Sequence, residues 1–205
     1  MSYAIIGSGA IGGALAKQFA RSKIKAVITN RRGPSSLENA LQAFVPTVSA
    51  AEMIDALDAE VVILAVPFGA VGEVATLRSD WTGKIVVDAT NAIEFPAFRP
   101  LELGGQPSSQ VVAAQFKGAK VVKAFNTLPA AVLADEPRRS EGHRTIFVSG
   151  GHADANEQVA SLATLLGFSP IILGRLEDGG LLQQFGGPLT MHSLIHSNPN
   201  SEIES

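Results

Sequence analysis

The chain has 205 residues, which is enough for one domain of ordinary size with a substantial core. With 46% apolar and 17% charged residues, it has the composition of a folded globular protein rather than a disordered one. The net charge of −3 argues against a nucleic-acid partner, the absence of cysteine excludes disulfides and thiolate metal sites, and no apolar run is long enough to span a bilayer.

Short apolar runs alternate with segments of helical spacing along almost the whole chain. We predict strands at residues 3–6, 24–29, 47–48, 61–66, 85–89, 121–124, 145–149 and 170–173. We predict helices at residues 11–21, 36–44, 50–57, 71–77, 108–117 and 153–167, and within part of 176–195. This alternation predicts the α/β class, a Rossmann-type doubly wound and mostly parallel sheet followed by a small α/β extension. The loop 91–107 separates the elements of the sheet without a predicted element of its own.

A glycine-rich turn lies between the first strand and the first helix. It comprises Gly7, Ser8, Gly9, Ala10, Ile11 and Gly12 and matches the pattern G-x-G-x-x-G. In a dinucleotide site the first glycine makes the tight turn, the second lets the backbone approach the pyrophosphate, and the third lets the helix pack against the strand. The helix N-terminus then offers free N–H groups to the phosphates. The alternative is a glycine-rich packing turn, which the strand–turn–helix context disfavours.

The residues after the second strand indicate which dinucleotide binds. An acid at this point would bind the ribose 2′-hydroxyl of NAD, and it would repel the 2′-phosphate of NADP. Here Asn30 is neutral and is followed by Arg31 and Arg32, with the hydroxyls of Ser35 and Ser36 close behind. Two hydrogen bonds to a charged group, at about 1.5–3 kcal/mol each, would favour NADP by about two orders of magnitude or more. One of the arginines can instead stack on the adenine ring.

The carboxyl ends of the other parallel strands are the place for the nicotinamide. They carry the segments Ala65, Val66, Pro67 and Phe68; Asp88 to Asn91; and Asn126 to Ala130. We expect Asn91 and Asn126 to bond the nicotinamide carboxamide or its ribose, and we expect Asp88 to be structural rather than a base.

No nucleophilic or acid–base set emerges from the sequence. His192 and His196 are spaced to share a helix face, but a metal site needs a third ligand, so we expect no metal. Lys123 and Asn126 are similar to a lysine–asparagine pair of hydroxyacid dehydrogenases, yet Lys123 falls in a predicted strand where that pair requires a helix. We therefore expect no catalytic side chain, as suits hydride transfer between two stacked rings.

Five stretches of the chain resemble the NADP-dependent coenzyme F420 oxidoreductase family, which is related to the reductase domain of STEAP-type metalloreductases. They are IIGSGAIGGALA, NRRGPSS, AVPF, VVKAFNTLPA and the long segment FVSGGHADANEQVASLATLLGFSPIILGRLEDGGLL. The resemblance implies that NADPH is held by the glycine turn and the serine–arginine loop. It places Pro67, Phe68, Leu128, Pro129 and Ala130 around the nicotinamide, and the second, flavin-like ring near residues 174–180.

The resemblance also implies a division of the chain and a reaction. Residues 1–125 would form the NADP-binding Rossmann domain, and residues 126–205 an extension that forms the acceptor site and a homodimer contact. The expected activity is hydride transfer between NADPH and coenzyme F420 or a flavin-like, small-molecule acceptor, in the cytoplasm. The alternatives are a dehydrogenase of a small hydroxy or imino acid, whose C-terminal domain would be all-helical, and a non-catalytic NADPH sensor.

Overall fold

A computed structural model describes residues 1–197 of the chain. The strands are β1 Tyr3–Ile6, β2 Ala26–Thr29, β3 Val48–Ala50, β4 Val61–Leu64, β5 Ile85–Asp88, β6 Ile93–Glu94, β7 Arg99–Pro100, β8 Lys120–Ala124, β9 Arg138–Arg139, β10 Gly142–Gly150, β11 Ser169–Ile172 and β12 Ile195–Ser197. The α-helices are α1 Ala10–Arg21, α2 Glu38–Leu41, α3 Met53–Ala56, α4 Val71–Thr76, α5 Ser108–Gln115, α6 Ala130–Leu133, α7 Ala153–Leu165 and α8 Gly179–Gln183.

The main sheet has the order β11-β10-β8-β5-β4-β1-β2-β3. The neighbouring strands β8, β5, β4, β1, β2 and β3 are parallel, β10 runs antiparallel to β8, and β11 is parallel to β10. Crossover segments connect consecutive parallel strands, so helices cover both faces and β4 and β5 are buried along their whole length. The predicted α/β class and mostly parallel sheet are confirmed.

Two apolar cores lie on opposite faces of the sheet. One is formed with α1, α6 and α7 and contains the fully buried Leu15 and Phe19. The other is formed with α3, α4 and α5, where the rings of Trp81 and Phe116 meet edge to face at 4.7 Å. This two-sided packing fixes the carboxyl ends of β1, β2, β4, β5 and β8 along one edge of the sheet, which we call the carboxyl edge.

The segment after residue 125 adds β10 and β11 to the same sheet, and β9 and β12 pair with β10. The strand–helix–strand order of β10, α7 and β11 is the predicted one. The last part of the predicted extension, residues 198–205, lies outside the described residues.

Several predicted elements differ from the observed ones. The predicted helix 36–44 is a short α2 between two 3-10 turns, Pro34–Leu37 and Gln42–Phe44. The helix predicted at 50–57 is confined to α3, and within 176–195 only α8 is helical, since a Gly-Gly-Pro sequence at 186–188 cannot continue it. The loop 91–107 contains the hairpin of β6 and β7. Among residues 1–197, no helix combines the length and the apolar character needed to cross a membrane.

Candidate functional site

The three glycines of the turn after β1 play different structural parts. Gly7 has φ of +110°, and a Cβ placed on it would lie 2.3 Å from the Ala65 carbonyl oxygen. A Cβ on Gly12 would lie 1.9 Å from the Gly7 carbonyl oxygen, so only glycine lets α1 pack this close. A Cβ on Gly9 would meet no atom within 4 Å. The space in front of Gly9 is therefore open, as a site for a pyrophosphate at the N-terminus of α1 requires.

Asn30 organises the loop that follows β2. Its side-chain amide donates to the Ser8 hydroxyl at 2.9 Å and to the Ser36 hydroxyl at 3.1 Å, and its Oδ1 accepts the Arg32 backbone N–H at 2.8 Å. An aspartate could not donate the first two bonds. The asparagine thus ties the glycine turn to the arginine loop, a role that the sequence did not indicate.

The glycine turn and the arginine loop border a single cleft of about 770 Å³. It brings together the predicted residues Gly7, Ser8, Gly9, Asn30, Arg31, Arg32, Ala65, Val66 and Pro67. The side chains of Arg31 and Arg32 are exposed, and Arg31 Nη1 lies 3.5 Å from a carboxylate oxygen of Glu73. Ser35 and Ser36 are exposed on the same loop, outside the lining of this cleft.

The cleft has a second wall that sequence reasoning missed. It is lined in addition by Gly33, Glu52, Met53, Ala70, Glu73, Val74 and Leu77. The spacing of Ala70, Val74 and Leu77 places them on one face of α4, and this spacing was the signal in the sequence. On its own, such spacing identifies a core-facing helix surface and not a ligand wall.

The remaining predicted residues lie along the carboxyl edge. Phe68 follows β4, Asn91 follows β5, and Asn126, Leu128, Pro129 and Ala130 follow β8. Phe68, Pro129 and Ala130 are half-buried, whereas Leu128 is buried. Ala10 is exposed and Ile11 is half-buried at the start of α1.

Asn91 and Asn126 bond each other across this edge. The Asn91 amide donates to the Asn126 backbone carbonyl at 2.9 Å, and the Asn126 amide donates to Asn91 Oδ1 at 3.0 Å and to the Gln183 carbonyl at 2.7 Å. Both amide protons of Asn126 are therefore used within the protein. For Asn126 to donate to a carboxamide, as the sequence suggested, one of these bonds must break.

A buried ion pair supports this edge from below. Lys123 Nζ lies 3.1 Å from Asp88 Oδ2, and both side chains are fully buried. Asp88 also accepts the backbone N–H and the hydroxyl of Thr90 at 3.0 and 2.6 Å and the Ser109 hydroxyl at 2.9 Å, and Lys123 donates to the Thr90 carbonyl at 3.2 Å. A carboxylate with all its acceptor sites satisfied is poorly placed to take a proton from a ligand. The geometry gives Asp88 a structural role, as we expected.

Gln183 connects α8 to the same edge. Its amide donates to the carbonyls of Lys123 at 3.2 Å and Phe147 at 3.1 Å, and its Oε1 accepts the Ser149 hydroxyl at 2.5 Å. The side chain is fully buried, so these bonds are made in a low-dielectric setting. The C-terminal part of the described chain is thereby fixed against the ends of β8 and β10.

Aromatic side chains stand beside the edge where the sequence predicted only a loop. Phe98 of the β6–β7 turn contacts Phe95 and Phe185, with ring centroids 5.8 and 5.2 Å apart. Phe95 and Phe98 are 70% and 57% exposed, which is unusual for phenylalanine and marks an apolar surface.

The expected helix face shared by His192 and His196 is wrong, because His196 lies in β12 and His192 precedes it outside any helix. Within residues 1–197 no three His, Asp or Glu side chains cluster in a way that could hold a metal ion. Lys123 lies in β8, as predicted, and not on a helix.

Solved structures with this fold include two with substantial sequence identity. The chain is 54% identical to the hypothetical protein SMa0349 from Sinorhizobium meliloti, with a TM-score of 0.94 and 96% of each chain covered. It is 28% identical to a proposed F420-dependent NADP reductase from Arthrobacter sp. FB24, with a TM-score of 0.72 and 86% of each chain covered.

Similarity also extends to a longer protein. The metalloreductase STEAP3 of Rattus norvegicus is 27% identical over 172 residues, which are 84% of this chain and 33% of STEAP3. The chain thus spans about a third of the length of that relative. Residues 2–92, which hold the glycine turn, the arginine loop and the strands β1 to β5, match the family described as NADP oxidoreductase coenzyme F420-dependent. The resemblance to the coenzyme F420-dependent NADP oxidoreductase family that the sequence motifs indicated is confirmed over this segment, which is less than half of the chain.

Proposed function

We propose that this protein binds NADPH in the cleft between the glycine turn and α4 and reduces a planar, flavin-like acceptor such as a deazaflavin. The single observation that carries the proposal is that an open glycine turn and two exposed arginines border one cleft. The family match of residues 2–92 and the name of the Arthrobacter relative support the choice of cofactor and acceptor class.

The residues present fit a dinucleotide phosphate. The open space at Gly9 and the N-terminus of α1 suit the pyrophosphate, with Ser8, Ala10 and Ile11 at the turn. One guanidinium group of the Arg31–Arg32 pair, with the hydroxyls of Ser35 and Ser36, suits the 2′-phosphate, and the other suits the face of the adenine ring.

The nicotinamide would lie at the carboxyl edge, against the predicted residues after β4, β5 and β8. Bound there, NADPH would supply a hydride to the acceptor, which would also take one proton from water as NADPH is oxidised to NADP⁺. The protein's part is to orient two rings and keep water out, because the ionisable pair below this edge is buried and internally satisfied.

A second copy of the chain would meet the part after residue 125, and the acceptor would lie between that part and the β6–β7 turn. Leu181, Leu182, Met191 and Leu194 are between 41% and 59% exposed, which is a large apolar surface for a free monomer. Next to it, the exposed Phe98 and the half-buried Phe185 offer flat rings beside the carboxyl edge. We therefore assign the acceptor site to the rings of Phe98 and Phe185 and the homodimer contact to the apolar surface of Leu181, Leu182, Met191 and Leu194. The cytoplasm stays the compartment that we propose.

Stopped-flow mixing of the NADPH-loaded protein with FMN, a 5-deazaflavin, a ferric chelate, a 2-keto acid and a cyclic imine tests the reaction. We expect absorbance at 340 nm to fall with a planar acceptor, at a rate that saturates with its concentration. A fall only with a 2-keto acid or a cyclic imine would support the acid dehydrogenase instead. Tight binding of NADPH with no oxidation by any acceptor would support the sensor and contradict the proposal.

A further inference from the structure

One ion pair crosses the cleft proposed for the adenosine half of the nucleotide. Arg31 lies in the loop after β2, which forms one wall, and Glu73 lies in α4, which forms the other. Their closest atoms, Arg31 Nη1 and Glu73 Oε2, are 3.5 Å apart. Among the ion pairs of residues 1–197, this is the one that joins the two walls.

The wall on the α4 side of this ion pair is apolar. Val74 and Leu77 lie on the same face of the α4 segment as Glu73, and Met53 and Val66 line the same cleft. Apolar walls with a guanidinium at the rim suit a flat purine, because arginine stacks on aromatic faces.

Stability of the fold does not explain the pair. The side chains of Arg31 and Glu73 are 80% and 63% exposed, and exposed pairs of this kind contribute about 0–1 kcal/mol. The pair does restrict the conformations of the long and flexible Arg31 side chain. Holding a binding group in place before the ligand arrives lowers the entropic cost of binding.

We propose that Glu73 is a positioning residue that holds the Arg31 guanidinium across the cleft, where it covers the adenine ring of the bound nucleotide. The inference rests on the proposed nucleotide site. Because adenine is common to NADPH and NADH, Glu73 would support both nucleotides by the same factor. If Glu73 instead competed with the 2′-phosphate for Arg31, its removal would tighten NADPH and 2′,5′-ADP but not NADH.

The test compares Glu73→Gln with the wild type by calorimetric or fluorescence titration. The ligands are NADPH, NADH, 2′,5′-ADP and reduced nicotinamide mononucleotide, which has no adenine. We expect the Kd of the three adenine-containing ligands to rise about three- to fivefold, the size of one exposed ion pair, and that of the mononucleotide to stay unchanged. Glu73→Asp should recover part of the loss, and Glu136→Gln, which breaks an ion pair outside the cleft, serves as the control.

A double-mutant cycle separates positioning from an indirect effect. In an Arg31→Ala background, Glu73→Gln should have no further effect on the Kd of NADPH or NADH. An equal loss in both backgrounds, a tighter NADPH complex, or no change at all would overturn the inference while leaving the nucleotide site intact. A wild-type protein that binds none of the adenine-containing ligands would overturn the proposed function as well.

Discussion

Alanine substitutions at two glycines of the same motif should separate nucleotide binding from stability. One should weaken binding, and the other should lower the stability of the fold. At Gly9 an added Cβ meets nothing within 4 Å and φ is −72°, so Gly9→Ala should fold normally, with a stability change below about 1 kcal/mol. The methyl group would stand in the open space in front of the turn. At Gly12 the Cβ would lie 1.9 Å from the Gly7 carbonyl oxygen, and overpacking of this kind costs about 1–3 kcal/mol.

The magnitudes follow from what each methyl displaces. If Gly9→Ala pushes the pyrophosphate away from one or two backbone N–H groups, at about 1.5–3 kcal/mol each, the Kd of NADPH should rise at least tenfold. Gly12→Ala should lower the Tm by about 2–12 °C at the usual 2–4 °C per kcal/mol for a chain of this size. Titration with NADPH and thermal melts of both variants measure these effects. A Gly9→Ala protein that binds NADPH like the wild type would refute the assignment of this turn to phosphate.

Three further substitutions test other parts of the site. Arg31→Ala combined with Arg32→Ala should weaken NADPH at least tenfold more than NADH in parallel titrations, and equal losses would rule out a 2′-phosphate site on this loop. Gln183→Leu leaves the buried groups that bond Gln183 without a partner, so we expect the free energy of unfolding in urea to fall by about 2–4 kcal/mol. Gln184→Leu serves as the comparison. Hydrogen bonding by Arg139 lowers the pKa of Asp135, so its contribution to stability is present above about pH 4 and lost as the pH falls below that. Asp135→Asn should flatten the fall in Tm between pH 5 and about pH 3, and an unchanged slope would contradict this.

The parallel half of the fold was predictable because its signals are local. The run Val61–Leu64 is apolar throughout, because helices cover both faces of a central parallel strand. The glycine turn indicates a strand before it and a helix after it. The structure of the segment from residue 176 could not be predicted from local signals. Its single helical turn is stabilised by Gln183 bonding the carbonyls of Lys123 and Phe147, which are contacts over a sequence distance of 60 and 36 residues. Helical spacing cannot report such contacts.

The residues of the candidate site also differ in whether the sequence could predict them. Arg31 and Arg32 were predictable because the role that we propose for them depends on their distance from the glycine turn along the chain. Glu73 belongs to no sequence motif. Its ion pair with Arg31 forms only in the folded chain, where α4 lies across the cleft from the arginine loop. The hydrogen bonds that Asn91 and Asn126 make within the protein were not predictable for a related reason. Their position at two strand ends was predictable, but that each uses its amide on the other depends on the spacing of neighbouring strands.

The hydrogen bonds that Asn91 and Asn126 make within the protein limit what the carboxyl edge can do chemically. Asn126, Asn91 and Gln183 hold the loops after β5 and β8 to α8, and Thr90 is held at its N–H, hydroxyl and carbonyl by the ion pair below. A backbone fixed at this many points loses little entropy when a ring is laid against it, which is the condition under which orientation alone can promote hydride transfer. The polar network is therefore better suited to shaping the surface beneath the rings than to moving protons. Under the proposed function, we expect acceptor selectivity to depend on the surfaces that face the edge from outside, Phe98 and Phe185 above all.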